Sequence, residues 1–171
     1  PYKNSFNNKK PIDLIFVIIP WLAIFSTGQG LAAAFALSLS SFIKNKYLGI
    51  KIFFSSALAS LTYFTFLDYV KPARHPFNFD FLFPFVMLLG GVWHGLFILV
   101  LITCFILCTV KPKIPNTVLA PIVFPALFSF IFSLMTTLSR SHLGLAAALS
   151  YRYTTHTLMI GLSSILLLGF I

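Results

Sequence analysis

Long apolar runs alternate with short polar segments along the whole chain. The runs cover about 12–26, 29–43, 50–70, 81–110, 117–138 and 155–171. The backbone can be satisfied in lipid only by helices or closed barrels, and the strict alternation of barrel strands is absent here. The pattern therefore predicts an all-α, polytopic transmembrane helix bundle with about six membrane segments, some of them short or broken. We expect residues 1–171 to form one transmembrane domain without a soluble domain.

Glycine and proline residues mark two predicted breaks. The first two runs are either a hairpin or one long helix that is broken at Gly28 and Gly30. The run at 81–110 is too long for one straight helix, and Pro84 together with Gly90–Gly91 supplies a break. The continuous span then begins at about Val92, after a re-entrant or interfacial piece.

The positions of the lysines favour the hairpin and set the topology. Lysines precede the first run and follow the second, and cytoplasmic loops are enriched in Lys and Arg. Continued along the chain, the same count places eight lysines inside and both ends in the cytoplasm. The residues predicted to lie outside include Gln29, Lys71, Arg74, Asn78, Arg140, Leu145 and Arg152.

Composition and charge agree with a membrane location. Hydrophobic residues make up 58% of the chain and the mean hydropathy is +0.96, which exceeds what a soluble core of 171 residues needs. The net charge of +9 lies in short segments between apolar runs, so membrane lipids rather than nucleic acid are the expected partners. Cys104 and Cys108 are expected to be small buried hydrophobic residues. The missing initial methionine and short last run suggest a fragment of a longer protein.

Cations and imidazoles concentrate between the last two runs, in "SRSHLGLAAALSYRYTTH". The predicted topology places this segment and the loop near 67–81 on the same extracytoplasmic side. An anion such as a phosphate would suit this group, because Arg binds phosphate and carboxylate with two parallel hydrogen bonds. The predicted anion-binding residues are Lys71, Arg74, Arg140, Arg152 and His156, and the candidate catalytic bases are Asp68 and Asp80. Alternatively, the arginines pair with these acids or reach lipid head groups.

The anion-site hypothesis requires a bend. In a continuous helix Arg140 and Arg152 would lie about 18 Å apart, too far for one phosphate. Gly144 is the residue best able to allow the bend. We therefore predict two separate helical pieces, Ser139–Leu143 and Ala146–His156. In a helix Arg152 and His156 would share a face, and Arg140 would align with small residues that let another element approach.

Two sequence elements carry resemblances to known families. The stretch "LLGGVWHG" (88–95) resembles the Trp-His-Gly signature of membrane-bound O-acyltransferases, which would make His94 a catalytic base in acyl transfer to a hydroxyl. The arginine-rich segment and second histidine element of that family are missing. A structural interpretation, in which His94 contributes to packing, is the alternative that we expect.

The second resemblance spans most of the chain. The order "PWLAIFSTGQG", "DYVKPARHP", "FVMLLGG" and "SRSHLGLAAALSYRYTTH" is similar to uncharacterised bacterial inner-membrane proteins, some of them associated with envelope polysaccharide or lipid-linked sugars. Arg140, Gly144, Ala148, Arg152 and Tyr153 match their Arg…Gly…Ala…Ser-Arg-Tyr element, with Tyr151 in place of the usual small residue. The resemblance implies a location in the bacterial inner membrane.

Three classes of function remain open. The first is an envelope enzyme, or part of one, that binds a lipid-linked phosphate or acidic glycan. The second is a transporter or flippase segment with "STGQG" as its gate, and the third is a structural subunit that binds other membrane subunits. Nucleotide-binding, dinucleotide-binding and zinc motifs are absent, so neither a cofactor nor a metal is expected.

Overall fold

A computed structural model describes residues 11–26, 29–66, 82–110, 114–140, 143 and 145–171. The described residues form helices and turns without a strand. The helices are α1 (Pro11–Ser26), α2 (Gly30–Lys44), α3 (Lys46–Phe66), α4 (Leu82–Leu88), α5 (Val92–Val110), α6 (Asn116–Arg140), α7 (Leu145–Ala148) and α8 (Thr154–Leu168), with a 3₁₀ turn at Tyr151–Tyr153. The all-α prediction is confirmed.

Helices α1, α2 and α3 form one antiparallel group. Ser38 and Ser56 of these helices reach across the α2–α3 contact, where Ser38 Oγ donates to Gly49 O at 3.2 Å and Ser56 Oγ to Ala34 O at 3.4 Å. Ile24 of α1 packs against Ala34 as well. The first two apolar runs are therefore a hairpin, as predicted from the lysines, and not one broken helix.

The connection between α2 and α3 is a single residue. The side chain of Asn45 accepts hydrogen bonds from the N–H groups of Tyr47 and Leu48, at 3.0 and 3.4 Å, and thereby caps the start of α3. Its own N–H donates to Ser41 O at 2.8 Å and closes α2. The sequence predicts an apolar run that begins at about residue 50, but α3 begins four residues earlier, at Lys46, because Asn45 satisfies both helix ends.

Helices α5, α6 and α8 form the second group, in which α8 packs against both α5 and α6, and α6 also packs along α2 of the first group. His94 and Cys104 of α5 lie beside Ser133 and Ile122 of α6, respectively. Ser163 of α8 donates to Ile122 O at 2.8 Å. Cys104 packs in an apolar cluster, as expected, whereas the side chain of Cys108 lies outside the described residues.

Two ends of the molecule can now be defined. We call the end with Arg140 and Arg152 the arginine end, and the end with Lys44, Lys46 and the start of α6 the lysine end. Ala32, near the start of α2, packs with Phe132 near the end of α6, which places the hairpin tip at the arginine end. The helix directions follow the predicted alternation.

Candidate arginine site

Arg140 and Arg152 meet on the ring of Tyr153. The Cζ atom of Arg140 lies 5.9 Å from the ring centroid and that of Arg152 lies 5.0 Å from it. Both distances are typical of cation–π contacts. The two guanidinium carbons are therefore at most about 11 Å apart. We call these three residues the arginine–tyrosine cluster.

The chain brings the arginines together by breaking its helix twice. Arg140 is the last residue of α6, and α7 begins only at Leu145. A second break at Leu149–Ser150 precedes the 3₁₀ turn that holds Arg152, and Ser150 is extended with φ −61° and ψ 127°. The predicted single piece Ala146–His156 is wrong because of this second break. Gly144, the expected bend residue, lies outside the described residues.

A third break, between α4 and α5, docks onto this region. Gly90 and Gly91 have φ values of +74° and +124°, which favour glycine strongly. The N–H of Gly90 donates to Ala148 O at 2.6 Å, and Thr154 Oγ1 donates to Gly90 O at 2.9 Å. We call Leu89–Gly91 and Leu149–Ser150 the docked breaks. They confirm the predicted interruption at Gly90–Gly91, and a continuous helix begins at the predicted Val92.

His156 contacts aromatic side chains rather than the arginines. Its ring centroid lies 4.5 Å from that of Phe132 and 6.0 Å from that of Phe128. The helix-face relation expected between Arg152 and His156 is wrong, because α8 begins at Thr154 and Arg152 belongs to the preceding turn. Phe132 nevertheless connects His156 with the arginine–tyrosine cluster, because its ring centroid also lies 6.4 Å from that of Tyr153.

His94 is buried between α5 and α6. Only 2% of its surface is exposed, and its Nε2 lies 3.2 Å from Ser133 Oγ. The serine was missed in the sequence, although Ser129, Ser133 and Thr137 recur every four residues and mark one polar face of α6. The burial agrees with the structural interpretation of His94, whereas acyl transfer stays a prediction.

Most of the other predicted site residues lie outside the described part of the chain. These are Asp68, Lys71, Arg74 and Asp80. Their approach to the arginine–tyrosine cluster therefore stays a prediction. Within the described ranges, no three His, Cys, Asp or Glu side chains are grouped as a metal ion requires.

No protein-family model matches this sequence, and no curated protein or solved structure is significantly similar to it.

Proposed function

We propose that this chain is a polytopic integral membrane protein whose arginine end binds an anion. The observation that supports the membrane location is the distribution of side chains between interior and surface. Large apolar side chains point outward on every long helix, for example Phe54 at 68% and Ile165 at 62% exposure. Soluble monomers rarely expose contiguous apolar patches larger than a few hundred Å².

The interior is correspondingly small and polar. Alanine and serine fill the contact between α2 and α3, including Ala34, Ser38 and the fully buried Ser56. Lipid tails are as apolar as Leu, so membrane helices associate through small residues and interhelical hydrogen bonds instead of through large apolar side chains. Both features of this packing are present here, and they support a bilayer as the solvent.

Helix lengths are consistent with a bundle of unequal segments. By length and composition, two of the described helices can cross a membrane: Lys46–Phe66, with a mean hydropathy of 1.3, and Asn116–Arg140, with 2.3. Helices α1, α2 and α8 have 16, 15 and 15 residues, short of the roughly 20 that a full span needs. Our proposal of about six segments therefore requires local thinning of the bilayer around the short helices.

The proposed anion site is the arginine–tyrosine cluster, on the extracytoplasmic side. Two guanidinium groups within about 11 Å repel each other. An anion between them would remove the repulsion and accept charge-assisted hydrogen bonds. Two exposed side chains with large apolar surfaces, Leu149 and Tyr151, lie close to Arg152 in the sequence. They favour an anion that is carried on a lipid, such as a lipid-linked phosphate of a bacterial envelope.

Binding to a lipid phosphate tests this site. The purified protein in detergent is titrated with phosphatidic acid, phosphatidylcholine or inorganic phosphate, and its thermal unfolding midpoint is measured. We expect phosphatidic acid to raise the midpoint and phosphatidylcholine to have no effect. A response to inorganic phosphate of the same size would mean that the lipid chains contribute nothing.

Substitution of Arg152 supplies the matched comparison. Arg152→Ala and Arg152→Lys should both weaken the apparent affinity for phosphatidic acid about tenfold or more, because an ammonium cannot form the planar two-point contact. Lys46→Ala, an exposed cation at the lysine end, should leave the affinity unchanged. If Arg152→Lys binds as the wild type does, the arginines act only as a charged anchor at the membrane surface.

A transporter or flippase segment is the second candidate function. The docked breaks favour it, because interrupted membrane helices commonly form the substrate sites of transporters. In that case the breaks rather than "STGQG" would be the gate. Phosphate-stimulated uptake or lipid transfer in proteoliposomes would support a transporter, whereas binding without movement would favour a binding subunit.

A further inference from the structure

The length of α5 gives the depth of the docked breaks in a bilayer. This helix begins at Val92, directly after Gly91, and its 19 residues end at Val110. At 1.5 Å per residue it is about 28 Å long, and the hydrocarbon core of a bilayer is about 30 Å thick. In a membrane bundle the two ends of α5 therefore lie at the two boundaries of the core, and the docked breaks lie at the boundary of the arginine end.

The contact between α5 and α6 gives the same depth independently. His94, in the first turn of α5, lies beside Ser133 of α6, with 3.2 Å between its Nε2 and the serine Oγ. Along α6, Ser133 lies about 26 Å from Asn116 at the lysine end. Arg140, the last residue of α6, lies about 36 Å from Asn116, which places it beyond the core and at the depth of the headgroups.

The exposed tryptophan and tyrosine side chains lie at these two boundaries. Among the described residues they are Trp93, Tyr151 and Tyr47, which are 68%, 89% and 80% exposed. Trp93 and Tyr151 adjoin the docked breaks, whereas Tyr47 is the second residue of α3, at the lysine end. Trp and Tyr are enriched where a membrane meets water, because their rings are apolar and their N–H or O–H groups bond to water or headgroups. Farther from the helix ends, exposed aromatic side chains such as Phe54 carry no polar atom.

We propose that the docked breaks lie at the boundary between the hydrocarbon core and the headgroup layer, and that Trp93 and Tyr151 bind this layer and hold the arginine end at a fixed depth. The inference rests on the membrane location proposed above. Substrate sites of transporters with interrupted helices lie near the bilayer midplane. The boundary depth therefore favours binding of a lipid phosphate at the surface over transport through the bundle.

Quenching of tryptophan fluorescence by brominated lipids tests this depth. The protein is reconstituted into phosphatidylcholine vesicles whose acyl chains carry bromine either close to the headgroup or close to the chain end. The wild type contains Trp21 and Trp93, and Trp93→Phe leaves Trp21 alone, so the difference between the two proteins reports Trp93. We expect the Trp93 signal to be quenched at least twofold more by the shallow bromine than by the deep one.

The other outcomes separate the depth from the membrane location. Stronger quenching of Trp93 by the deep bromine would place the docked breaks inside the core and overturn the inference. Absence of quenching by either lipid, in protein that stays with the vesicles after alkaline washing, would also overturn it, because Trp93 would then not contact lipid. Protein that does not incorporate into the vesicles would contradict the membrane location itself, and the inference would fall with it.

Spin labels give a second measurement at the other docked break. Single labels are attached to Tyr151→Cys and to the control Phe54→Cys, which lies about 12 Å along α3 from its first residue, in a background without Cys104 and Cys108. Molecular oxygen concentrates in the core of a bilayer, whereas a polar nickel complex stays in water. We expect the ratio of oxygen to nickel accessibility at position 151 to be several-fold lower than at position 54. Equal ratios at the two positions would show that Tyr151 lies in the core and would overturn the inference.

Discussion

Gly30 shows how a single residue controls the α1–α2 hairpin. A Cβ atom placed there would overlap the backbone carbonyl of Ala23, which side-chain motion cannot relieve. We therefore expect Gly30→Ala to destabilise the protein by about 1–3 kcal/mol, the usual cost of overpacking. The matched control is Gly169→Ala, where the nearest atom, Leu166 O, lies at an ordinary 3.5 Å and the backbone is helical. Equal unfolding midpoints for the two variants in detergent would show that α1 and α2 are not packed this closely.

Part of the arginine–tyrosine cluster could be predicted from single residues of the sequence. The cation cluster near Arg140 and Arg152 was visible as a concentration of charge, and the required bend followed from helix geometry. Their meeting on Tyr153 was not predictable, because it depends on the second break at Leu149–Ser150, a leucine and a serine with no strong turn signal. The partner of His94 was also missed, since Ser133 is 39 residues away in the sequence.

At the level of elements, one side-chain hydrogen bond helps to hold the docked breaks together. A substitution can remove this bond while the volume of the side chain stays nearly the same. Thr154→Val eliminates the bond from Thr154 Oγ1 to Gly90 O at 2.9 Å. We expect a loss of about 0.6 kcal/mol, the average measured for interhelical hydrogen bonds in a membrane protein, and no more than the maximum of about 1.7 kcal/mol. The control is Thr62→Val, because the Thr62 hydroxyl bonds only to Leu58 O of its own helix. Guanidinium or heat unfolding should separate the two variants, and a neutral Thr154→Val would mean that the breaks are not held by this bond.

Helix boundaries could be predicted where a pair of glycines interrupts an apolar run. Gly90–Gly91 predicted the break before α5, and the start of the helix at Val92 followed from it. The predicted start of α3 was wrong because a pattern of apolar residues does not show which residue caps a helix. Asn45 caps the start of α3 and also closes the end of α2. Helix α7 and the following 3₁₀ turn are too short, at four and three residues, to produce a periodic signal.

For the whole molecule, the central claim is a membrane bundle with its arginine end outside. Contacts such as that of Ala32 with Phe132 give the directions of the helices. The side of the membrane on which each end lies is inferred from the positions of the lysines. The direct measurement is reaction of single cysteines with a membrane-impermeant maleimide in intact cells, in a background without Cys104 and Cys108. The exposed positions Gln29 and Tyr151 serve for the arginine end, and the exposed Asn45 and Asn116 for the lysine end.

We predict that the cysteines at positions 29 and 151 react in intact cells, and that those at positions 45 and 116 react only after the membrane is permeabilised. The protein should remain in the membrane fraction after alkaline washing and leave it only in detergent. Labelling at positions 45 and 116 in intact cells would contradict the assignment of sides. Recovery of the folded protein without detergent, with all four positions protected until lysis, would contradict the membrane bundle itself.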